Sequence, residues 1–294
     1  MPGAPGWHDA ESMEASEGNL LSRGYGAVLW EPDDKTVRHA RITRFMSWLA
    51  VGRGLDFGGY EDLWQWSVSQ PAGFWTAIWD YFEVLGDRGA GPAVAGQAMP
   101  DVRWFDGATL NYARNALRTA WTDPDRTAII FDSERGRAGS LSYAQLASEV
   151  ARVARGLRSL GVGRGDRVAA LLPNVPEAII GLLASASLGA IWSSCSPDFG
   201  ARSVIDRFAQ IEPKVLIACD GYGYGGKEFS RAAMLREVVE ALPSGPAVVL
   251  VSLIGEDSPP VELPAAVGVV IDRHEHFRLD LREPVDHAVR AEVG

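Results

Sequence analysis

Apolar residues recur at spacings of three and four in two stretches near the start of the chain, residues 43–51 and 60–84. This spacing places them on one face of a helix, so both stretches are predicted to form amphipathic helices. A proline is tolerated in the first turn of a helix, where its missing N–H has no partner to lose. Pro71, with Ser69 before it as a cap, is therefore predicted to begin a second helix within the longer stretch.

A different pattern begins at about residue 101, where short apolar runs alternate with helical stretches. The apolar runs predict strands at residues 127–132, 167–172, 190–195, 214–219, 247–253 and 268–271. The stretches between them predict one helix after a capping box at Ser142 and Gln145, and others over residues 176–189, 202–211 and 228–242. Runs that are apolar almost throughout are typical of parallel strands covered on both faces. The chain is therefore predicted to be an α/β protein, with a parallel sheet flanked by helices and preceded by a Trp-rich helical N-terminal extension.

The tryptophans are distributed unevenly, because eight of the ten lie at or before Trp104. Residues 86–100 are rich in glycine, alanine and proline, and they are predicted to form a linker or loop. We therefore predict a Trp-rich helical region over residues 1–100 and an α/β domain over residues 101–294. We interpret the aromatic residues of the first region as packing, with a Trp-lined ligand groove as the alternative.

The chain is acidic, with 28 basic and 38 acidic side chains and a net charge of −10. Such a chain repels phosphate backbones, so we expect no nucleic-acid partner. The longest apolar run, residues 178–192, is shorter than the ~20 residues that span a bilayer and is interrupted by serine and glycine, so no membrane association is expected. The acidic start lacks the apolar core of a signal peptide, and the two cysteines form no Cys-x-x-Cys motif. We therefore expect a cytoplasmic protein.

Two segments that follow predicted parallel strands are the first candidates for a binding site, residues 193–200 and 220–227. Ligands of such sheets bind beyond the carboxyl ends of the strands. The second segment reads Asp-Gly-Tyr-Gly-Tyr-Gly-Gly-Lys, and its glycines would let backbone N–H groups approach a phosphate. It is predicted to follow a strand and to open a helix, whose N-terminus would add a positive end.

Four interpretations of this glycine-rich segment remain open. From Gly221 onwards the glycines fit a dinucleotide fingerprint, although the acid that should bind the ribose is available only as a late Glu256. The segment from Gly221 to Lys227 also fits a nucleoside-triphosphate loop, except that Glu228 stands where serine or threonine should hold magnesium. The other two interpretations are a plain glycine turn and a Lys227 that binds an anionic ligand.

The remaining reactive residue types form no recognisable catalytic set. The five histidines have no serine or cysteine partner in a known nucleophile motif, and the pair His274 and His276 lacks a third metal ligand. Cys195, at a predicted strand end, is interpreted as a buried structural thiol. The residues taken alone therefore predict no catalytic group and no metal ligand.

Two segments carry unusually specific combinations of residues. Residues 104–113 read Trp-Phe-Asp-Gly-Ala-Thr-Leu-Asn-Tyr-Ala, and residues 189–200 read Gly-Ala-Ile-Trp-Ser-Ser-Cys-Ser-Pro-Asp-Phe-Gly. Together with residues 44–84 and 140–231, they resemble the acyl-adenylate-forming superfamily of AMP-dependent synthetases and ligases. Within that superfamily they are most similar to the branch that activates acetoacetate. The likeness extends from about residue 25 to about residue 250.

The resemblance implies the N-terminal domain of a ligase that works in two half-reactions. Acetoacetate attacks ATP at the α-phosphate and gives an acyl-adenylate and pyrophosphate, and the thiol of CoA then displaces AMP. Activation of this kind replaces one difficult step by two easier ones. The implied cofactors are ATP, Mg²⁺ and CoA for the complete enzyme, and at most CoA for this chain.

The motifs that handle ATP in this superfamily are not found in the sequence. The family's phosphate loop is a Ser/Thr/Gly-rich segment that ends in Pro-Lys, and neither it nor the later nucleotide motifs occur here. We therefore expect an N-terminal portion that ends before the phosphate loop and is inactive alone. Because an incomplete sheet exposes an edge, we also expect self-association. The alternatives are a CoA-binding or assembly module that needs a complementary chain, and a dinucleotide-binding oxidoreductase.

Part of a CoA pocket is implied by the same resemblance. In acetyl-type relatives two arginines after the corresponding strand meet the CoA nucleotide, and Tyr224 and Lys227 stand at their positions. Lys227 is expected to pair with the 3′-phosphate of CoA, and Tyr224 is expected to stack on its adenine. Pro197 and Asp198 stand where those relatives carry a glycine pair that lies against CoA, and Asp198 departs from that pattern.

Overall fold

The parallel sheet that the apolar runs predict is present in the computed structural model of the chain. The structure describes residues 28–96, 99–134, 138–254 and 269–271. The chain divides into two units, one of residues 1–84 and 90–106 and the other of residues 85–89 and 107–294.

The bounds of the described elements follow. The helices are α1 (Asp34–His39), α2 (Arg41–Arg53), α3 (Tyr60–Ser69), α4 (Pro71–Tyr81), α5 (Tyr112–Ala116), α6 (Thr119–Thr122), α7 (Tyr143–Ser159), α8 (Pro176–Ser187), α9 (Ala201–Phe208) and α10 (Ala232–Ala241). The strands are β1 (Gly86–Asp87), β2 (Val94–Ala95), β3 (Arg103–Trp104), β4 (Thr109–Leu110), β5 (Thr127–Phe131), β6 (Gly139–Ser142), β7 (Arg167–Leu171), β8 (Ile191–Cys195), β9 (Val215–Cys219), β10 (Gly221–Tyr224), β11 (Lys227–Ser230), β12 (Ala247–Val251) and β13 (Val269–Ile271). Each described helix is too short or too polar to cross a membrane.

Helices α2, α3 and α4 of the first unit enclose a small aromatic core. Its buried members are Phe45, Leu49, Leu63, Trp66 and Ala77. The centroid of the Phe45 ring lies 5.0 Å from that of Tyr81 and 6.2 Å from that of Phe74, and both contacts are edge-on. Contacts of this geometry stabilise a core by about 0.5–1.5 kcal/mol per pair beyond the area that they bury. The helical extension is confirmed, and these rings are packing residues.

The alternative of a Trp-lined groove in this unit is met only in part. A cavity of about 560 Å³ opens beside the same helices, and Trp64 is the tryptophan among its lining residues. Aromatic and aliphatic side chains form most of the wall, with Arg41 and Arg44 as its charged members.

The start of α4 differs from the prediction in its cap. Pro71 is the first residue of the helix, as expected, but Gln70 occupies the cap position and makes no side-chain capping bond. Ser69 is the last residue of α3, and its hydroxyl donates to the carbonyl oxygen of Trp66 at 3.4 Å. Because a serine hydroxyl can bond backward along its own helix, it is not free to cap the next one.

The segment predicted as a linker contains two short strands. In the second unit, Gly86 and Asp87 of β1 pair with β4 in antiparallel fashion. In the first unit, Val94 and Ala95 of β2 pair with β3 in the same way. Ladders of two residues have no periodicity that a local pattern could show, so the prediction of a loop over residues 86–100 was wrong there.

Five strands of the second unit form one parallel sheet in the order β13-β12-β9-β7-β8. The strand that comes first in the chain, β7, pairs with β8 on one side and with β9 on the other. The strand order therefore reverses between β7 and β9. In open α/β sheets the crevice for a ligand lies outside the carboxyl ends of the strands at this point of reversal.

Alternate residues of the strands build two cores, one on each face of the sheet. Val168 and Ala170 of β7 belong to a cluster that includes Leu146 and Val150 of α7 and Ile180 of α8. Ala169 and Leu171, one residue out of step, belong to a second cluster with Val204 and Phe208 of α9 and Leu235 of α10. The period of two along each strand produces this separation. The predicted doubly covered parallel sheet is confirmed.

Strand β5 lies outside this sheet and pairs with β6 in antiparallel fashion. It leads through β6 into α7, which begins with the predicted capping box. The Ser142 hydroxyl accepts from the N–H of Gln145 at 3.3 Å, and the Gln145 side chain accepts from the N–H of Ser142 at 2.8 Å. Gly161, with φ at 78°, follows the end of α7 in a conformation that favours glycine.

The contact of α8 with β8 generates a stability prediction. A Cβ atom at Gly181 would lie 2.7 Å from the ring of Trp192. Gly181→Ala is therefore expected to lower the free energy of unfolding by about 1–3 kcal/mol, measured by urea denaturation, because the ring must shift against the sheet.

The matched control is Gly52→Ala in α2, where an added Cβ meets no atom within 4 Å. There we expect unchanged or higher stability, by up to about 1 kcal/mol, because alanine is the better helix former. Equal effects of the two substitutions would contradict the close contact at Gly181.

Candidate functional site

The carboxyl edge of the sheet is formed by the segments that follow β7, β8 and β9. Residues 196–199 follow β8, and the segment that follows β9 is residues 220–231. The two segments flank the end of β7, which lies between β8 and β9. They contain all four residues that the resemblance places in a CoA pocket.

The glycine-rich segment is a β-hairpin rather than a loop that opens a helix. Tyr224 pairs with Lys227 across the end of β10 and β11. The two residues between them, Gly225 and Gly226, have φ of 59° and 71°. Two successive residues with positive φ are typical of the tightest hairpin turn, and Gly-Gly is one of its sequence signatures. The helix predicted over residues 228–242 is present as α10, but it begins at Ala232 and not at Glu228.

Because the segment is a hairpin, it does not form either of the two nucleotide-binding motifs. Both the dinucleotide fingerprint and the triphosphate loop need a glycine turn that leads directly into a helix N-terminus. Here β11 follows the turn. The N–H of Gly226 at the turn already donates to the carboxylate of Glu134 at 3.2 Å. The glycines therefore form a turn, and the interpretation of Lys227 as an anion ligand does not depend on a loop cradle.

Tyr224 and Lys227 lie on one face of the hairpin. They form a cross-strand pair, so their side chains are neighbours on the same face. Because side chains alternate along a strand, Tyr222 and Phe229, which pair two positions further on, share that face. Tyr224 is 69% exposed, and Lys227 is exposed as well. An exposed ring and an exposed cation thus lie side by side on a short, defined scaffold.

Pro197 and Asp198 lie in the segment after β8, and the structure brings Asp198 to the hairpin. Pro197 is buried and Asp198 is exposed. One oxygen of the Asp198 carboxylate accepts from the hydroxyl of Tyr222. The other accepts from the hydroxyl of Ser196 at 3.0 Å. The predicted residues of the two segments are therefore connected through a tyrosine that sequence reasoning missed.

Arg231 is the second residue that sequence reasoning missed. Its Nη2 donates to the Tyr222 hydroxyl oxygen at 2.6 Å, and its guanidinium lies 4.9 Å from the centroid of the Tyr222 ring. That ring stacks on Phe229 with a centroid distance of 5.3 Å. Alternation along the hairpin could have placed Tyr222 beside Tyr224, but only if the hairpin had been predicted. Arg231 carried no such signal.

These hydrogen bonds set the ionisation of the carboxylate. The hydrogen bond from Tyr222, and after it the one from Ser196, lowers the pKa of Asp198 from its ordinary value. Burial, and next the hydrogen bond to Asp198, raises the pKa of Tyr222. At neutral pH the pair is therefore a carboxylate and a neutral phenol.

The base of the hairpin is fixed by a buried carboxylate, Asp220. It accepts from the hydroxyl of Ser252 at 2.8 Å and from the N–H of Leu253 at 2.7 Å and of Ile254 at 3.3 Å. The backbone oxygen of Asp220 accepts from the N–H of Arg231 at 2.7 Å. The segment after β12 and the end of β11 are thereby held against the end of β9.

Other reactive groups of the described residues take no part in a site. Cys195 and Cys219 are buried, and burial raises the pKa of Cys195. Burial, with the charge of Asp220 as a smaller cause, raises the pKa of Cys219 to about 12. Within the ranges that the structure describes, no three His, Cys, Asp or Glu side chains gather as a metal site. The pair His274 and His276 and the late acid Glu256 lie outside the described residues.

Comparison with known proteins gives consistent matches along most of the chain. Residues 60–116 match the family described as "Acetyl-coenzyme A synthetase N-terminus", and residues 117–286 match "AMP-binding enzyme". An acetoacetyl-coenzyme A synthetase of Rhizobium meliloti is 42% identical over 230 residues, which is 78% of this chain and 35% of that protein. An acetoacetyl-CoA synthetase of Rattus norvegicus is 39% identical over 230 residues, which is 77% of this chain and 34% of that protein.

A solved structure shows the same likeness. The acetoacetyl-CoA synthetase from Streptomyces lividans is similar with a TM-score of 0.74 and 44% sequence identity, over 80% of this chain and 36% of that one. The chain thus spans about a third of the length of these relatives.

The hydrogen bond between Tyr222 and Asp198 generates a prediction about ionisation. Tyr222→Phe is expected to raise the pKa of Asp198 toward its ordinary value, since the largest cause of the lowering is removed. A carboxyl-carbon NMR titration would measure it. A lowered pKa in the folded state stabilises the fold above the ordinary pKa, and that stabilisation is lost as pH falls. The stability difference between wild type and Tyr222→Phe should therefore shrink on acidification.

Tyr112→Phe, which removes an exposed hydroxyl in α5, is the matched control and should leave the pKa of Asp198 unchanged. An Asp198 pKa that is the same in wild type and Tyr222→Phe would show that this hydrogen bond does not form in solution.

Proposed function

The chain belongs to the family of AMP-binding enzymes, and we propose that it is the N-terminal part of an acetoacetate–CoA ligase. In the proposed reaction a carboxylate oxygen of acetoacetate attacks the α-phosphorus of ATP and expels pyrophosphate. The thiol of CoA then attacks the acyl carbon of the adenylate, so that a thioester forms and AMP leaves. The acid in this proposal rests on the relatives named acetoacetyl-CoA synthetase.

We assign the ATP-dependent half of the reaction to the part of the relatives that this chain does not cover. The sequence contains no Ser/Thr/Gly-rich loop ending in Pro-Lys, and its glycine-rich segment forms a hairpin. Binding of ATP with Mg²⁺ and adenylation of the acid are therefore proposed to need the remaining portion, and this chain alone is proposed to be inactive.

Within this reaction, this chain is proposed to bind the nucleotide part of CoA. The observation that carries this proposal is the cross-strand pair of Tyr224 and Lys227 at the carboxyl edge of the sheet. The Lys227 ammonium is exposed and forms no ion pair within the described residues, so it is available to the 3′-phosphate. The Tyr224 ring beside it can stack on adenine, because every base offers a flat π-face. Pro197 and Asp198 are proposed to form the adjoining wall.

A second candidate is an assembly module that needs a complementary chain, and one observation favours it. Strand β8 is an edge of the sheet, because it pairs with β7 alone among the described strands. Ile191 on this edge is 54% exposed. An open parallel edge with an apolar residue is a surface onto which another chain or a second copy can pair.

The ligase proposal is tested by mixing the chain with the separately produced downstream part of the Rhizobium meliloti relative. We expect no pyrophosphate release from ATP and acetoacetate by this chain alone, and release together with acetoacetyl-CoA formation by the mixture. Pyrophosphate release by this chain alone would contradict the assignment of ATP handling to the remaining portion.

The proposal that Lys227 binds the 3′-phosphate of CoA is tested by calorimetry, which compares the CoA affinity of the wild-type chain with that of Lys227→Gln. We expect CoA to bind about tenfold more weakly to the variant, because a phosphate loses its ammonium partner. The affinity for 3′-dephospho-CoA should be the same for both proteins.

Lys35→Gln, at an exposed lysine of α1, is the matched control for the loss of one positive charge and should bind CoA as the wild type does. Equal CoA affinity of wild type and Lys227→Gln would remove Lys227 from the proposed pocket.

A further inference from the structure

An anionic ligand at the proposed site meets a negative charge of the protein. The carboxylate of Asp198 lies in the segment after β8, in contact with the hairpin that carries Lys227 and Tyr224. Like charges at close range repel even in a partly aqueous environment. A pocket for the phosphates of CoA therefore requires that the negative charge of Asp198 be held in position and partly compensated.

Hydrogen bonds to the Asp198 carboxylate can hold its charge in position. The two oxygens of Asp198 are each bonded to a hydroxyl, one from Tyr222 and one from Ser196. The Asp198 backbone N–H donates to the same Ser196 oxygen at 3.3 Å. The side chain is thus held within its own loop and by the hairpin.

Two neighbouring side chains hold the ring of Tyr222 in place. Its ring stacks on Phe229, and the guanidinium of Arg231 lies over it. The same guanidinium donates to the Tyr222 hydroxyl oxygen, which leaves the phenol proton to point at Asp198. The Tyr222 hydroxyl therefore links the cationic Arg231 to the Asp198 carboxylate in a chain of two hydrogen bonds.

Arg231 is committed to this arrangement at a cost. Its Nε is buried and has no hydrogen-bond partner among the described residues. Unsatisfied buried donors are uncommon in native structures. The side-chain contacts of Arg231 with Tyr222 are the hydrogen bond from Nη2 and the stacking of the guanidinium on the ring.

We propose that Tyr222 and Arg231 are positioning residues that hold and partly neutralise the Asp198 carboxylate, so that the loop after β8 forms a wall of the CoA nucleotide site without repelling its phosphates. This inference rests on the proposed CoA-binding function of Tyr224 and Lys227. The lowered pKa of Asp198 supports this inference. Because the group stays ionised at neutral pH, its negative charge would repel a bound phosphate unless it were compensated.

The test compares CoA affinity of the wild-type chain, Tyr222→Phe, Asp198→Asn and the double variant by calorimetry. Tyr222→Phe releases the carboxylate, so CoA should bind about tenfold more weakly, and the loss should be larger at low salt than at high salt. Asp198→Asn removes the charge, so the double variant should regain the affinity of Asp198→Asn. A purely structural role of Tyr222 would leave the double variant as weak as Tyr222→Phe.

Two further variants keep the test decisive. Tyr112→Phe, in α5, is the matched control for loss of a tyrosine hydroxyl and should bind CoA as the wild type does. Ser196→Ala removes the other hydroxyl that bonds Asp198 without disturbing the Tyr222 stack, and it should weaken CoA binding in the same direction. It serves where Tyr222→Phe fails to fold.

The outcomes separate the two proposals. A wild-type chain that binds no CoA overturns the proposed function and the positioning role with it. A wild type that binds CoA, with Tyr222→Phe binding equally or with no recovery in the double variant, overturns the positioning role alone.

Discussion

The parallel pairing of β7 with both β8 and β9 is the constraint on which the rest of the second unit depends. Four or five consecutive residue pairs join β7 to each neighbour, and all three strands run in the same direction. Their carboxyl ends therefore meet at one edge. The segment after β8 and the hairpin after β9 have to lie on either side of the end of β7. Without that pairing, Asp198 and Tyr222, which are 24 positions apart in the chain, would have no reason to meet.

The sheet could be predicted because burial leaves a repeated mark on the sequence. Strands such as β9 are buried over their whole length, and a short, continuous apolar run is typical of a strand that helices cover on both faces. The helix α7 shows the same advantage, since its capping box and its final glycine are local signals. The short pairs β1–β4 and β2–β3 leave no such mark, because two residues are too few for a period.

The hairpin after β9 shows what the glycine pattern could and could not predict. The glycines of residues 220–227 fit a plain turn as well as a phosphate-binding loop that opens a helix, and the structure has the turn, with Gly225 and Gly226 between the paired Tyr224 and Lys227. The residues alone indicate Lys227 as an anion ligand, whereas Tyr224 and the assignment of both residues to CoA come from the family resemblance. Tyr222 and Arg231 could not be predicted from local sequence, because their contacts form only once the sheet and the hairpin are folded. The carboxylate that Tyr222 contacts, Asp198, follows a different strand, β8.

The proposed CoA site consists of the Lys227 ammonium and the Tyr224 ring on a short hairpin, with the hydrogen-bonded Asp198 carboxylate beside that hairpin. The most direct measurement is amide hydrogen exchange of this chain with and without adenosine 3′,5′-bisphosphate, the nucleotide of CoA. The account predicts slower exchange confined to the loop after β8 and to β10 and β11. Unchanged exchange there, or protection confined to the aromatic cavity of the first unit, would contradict it.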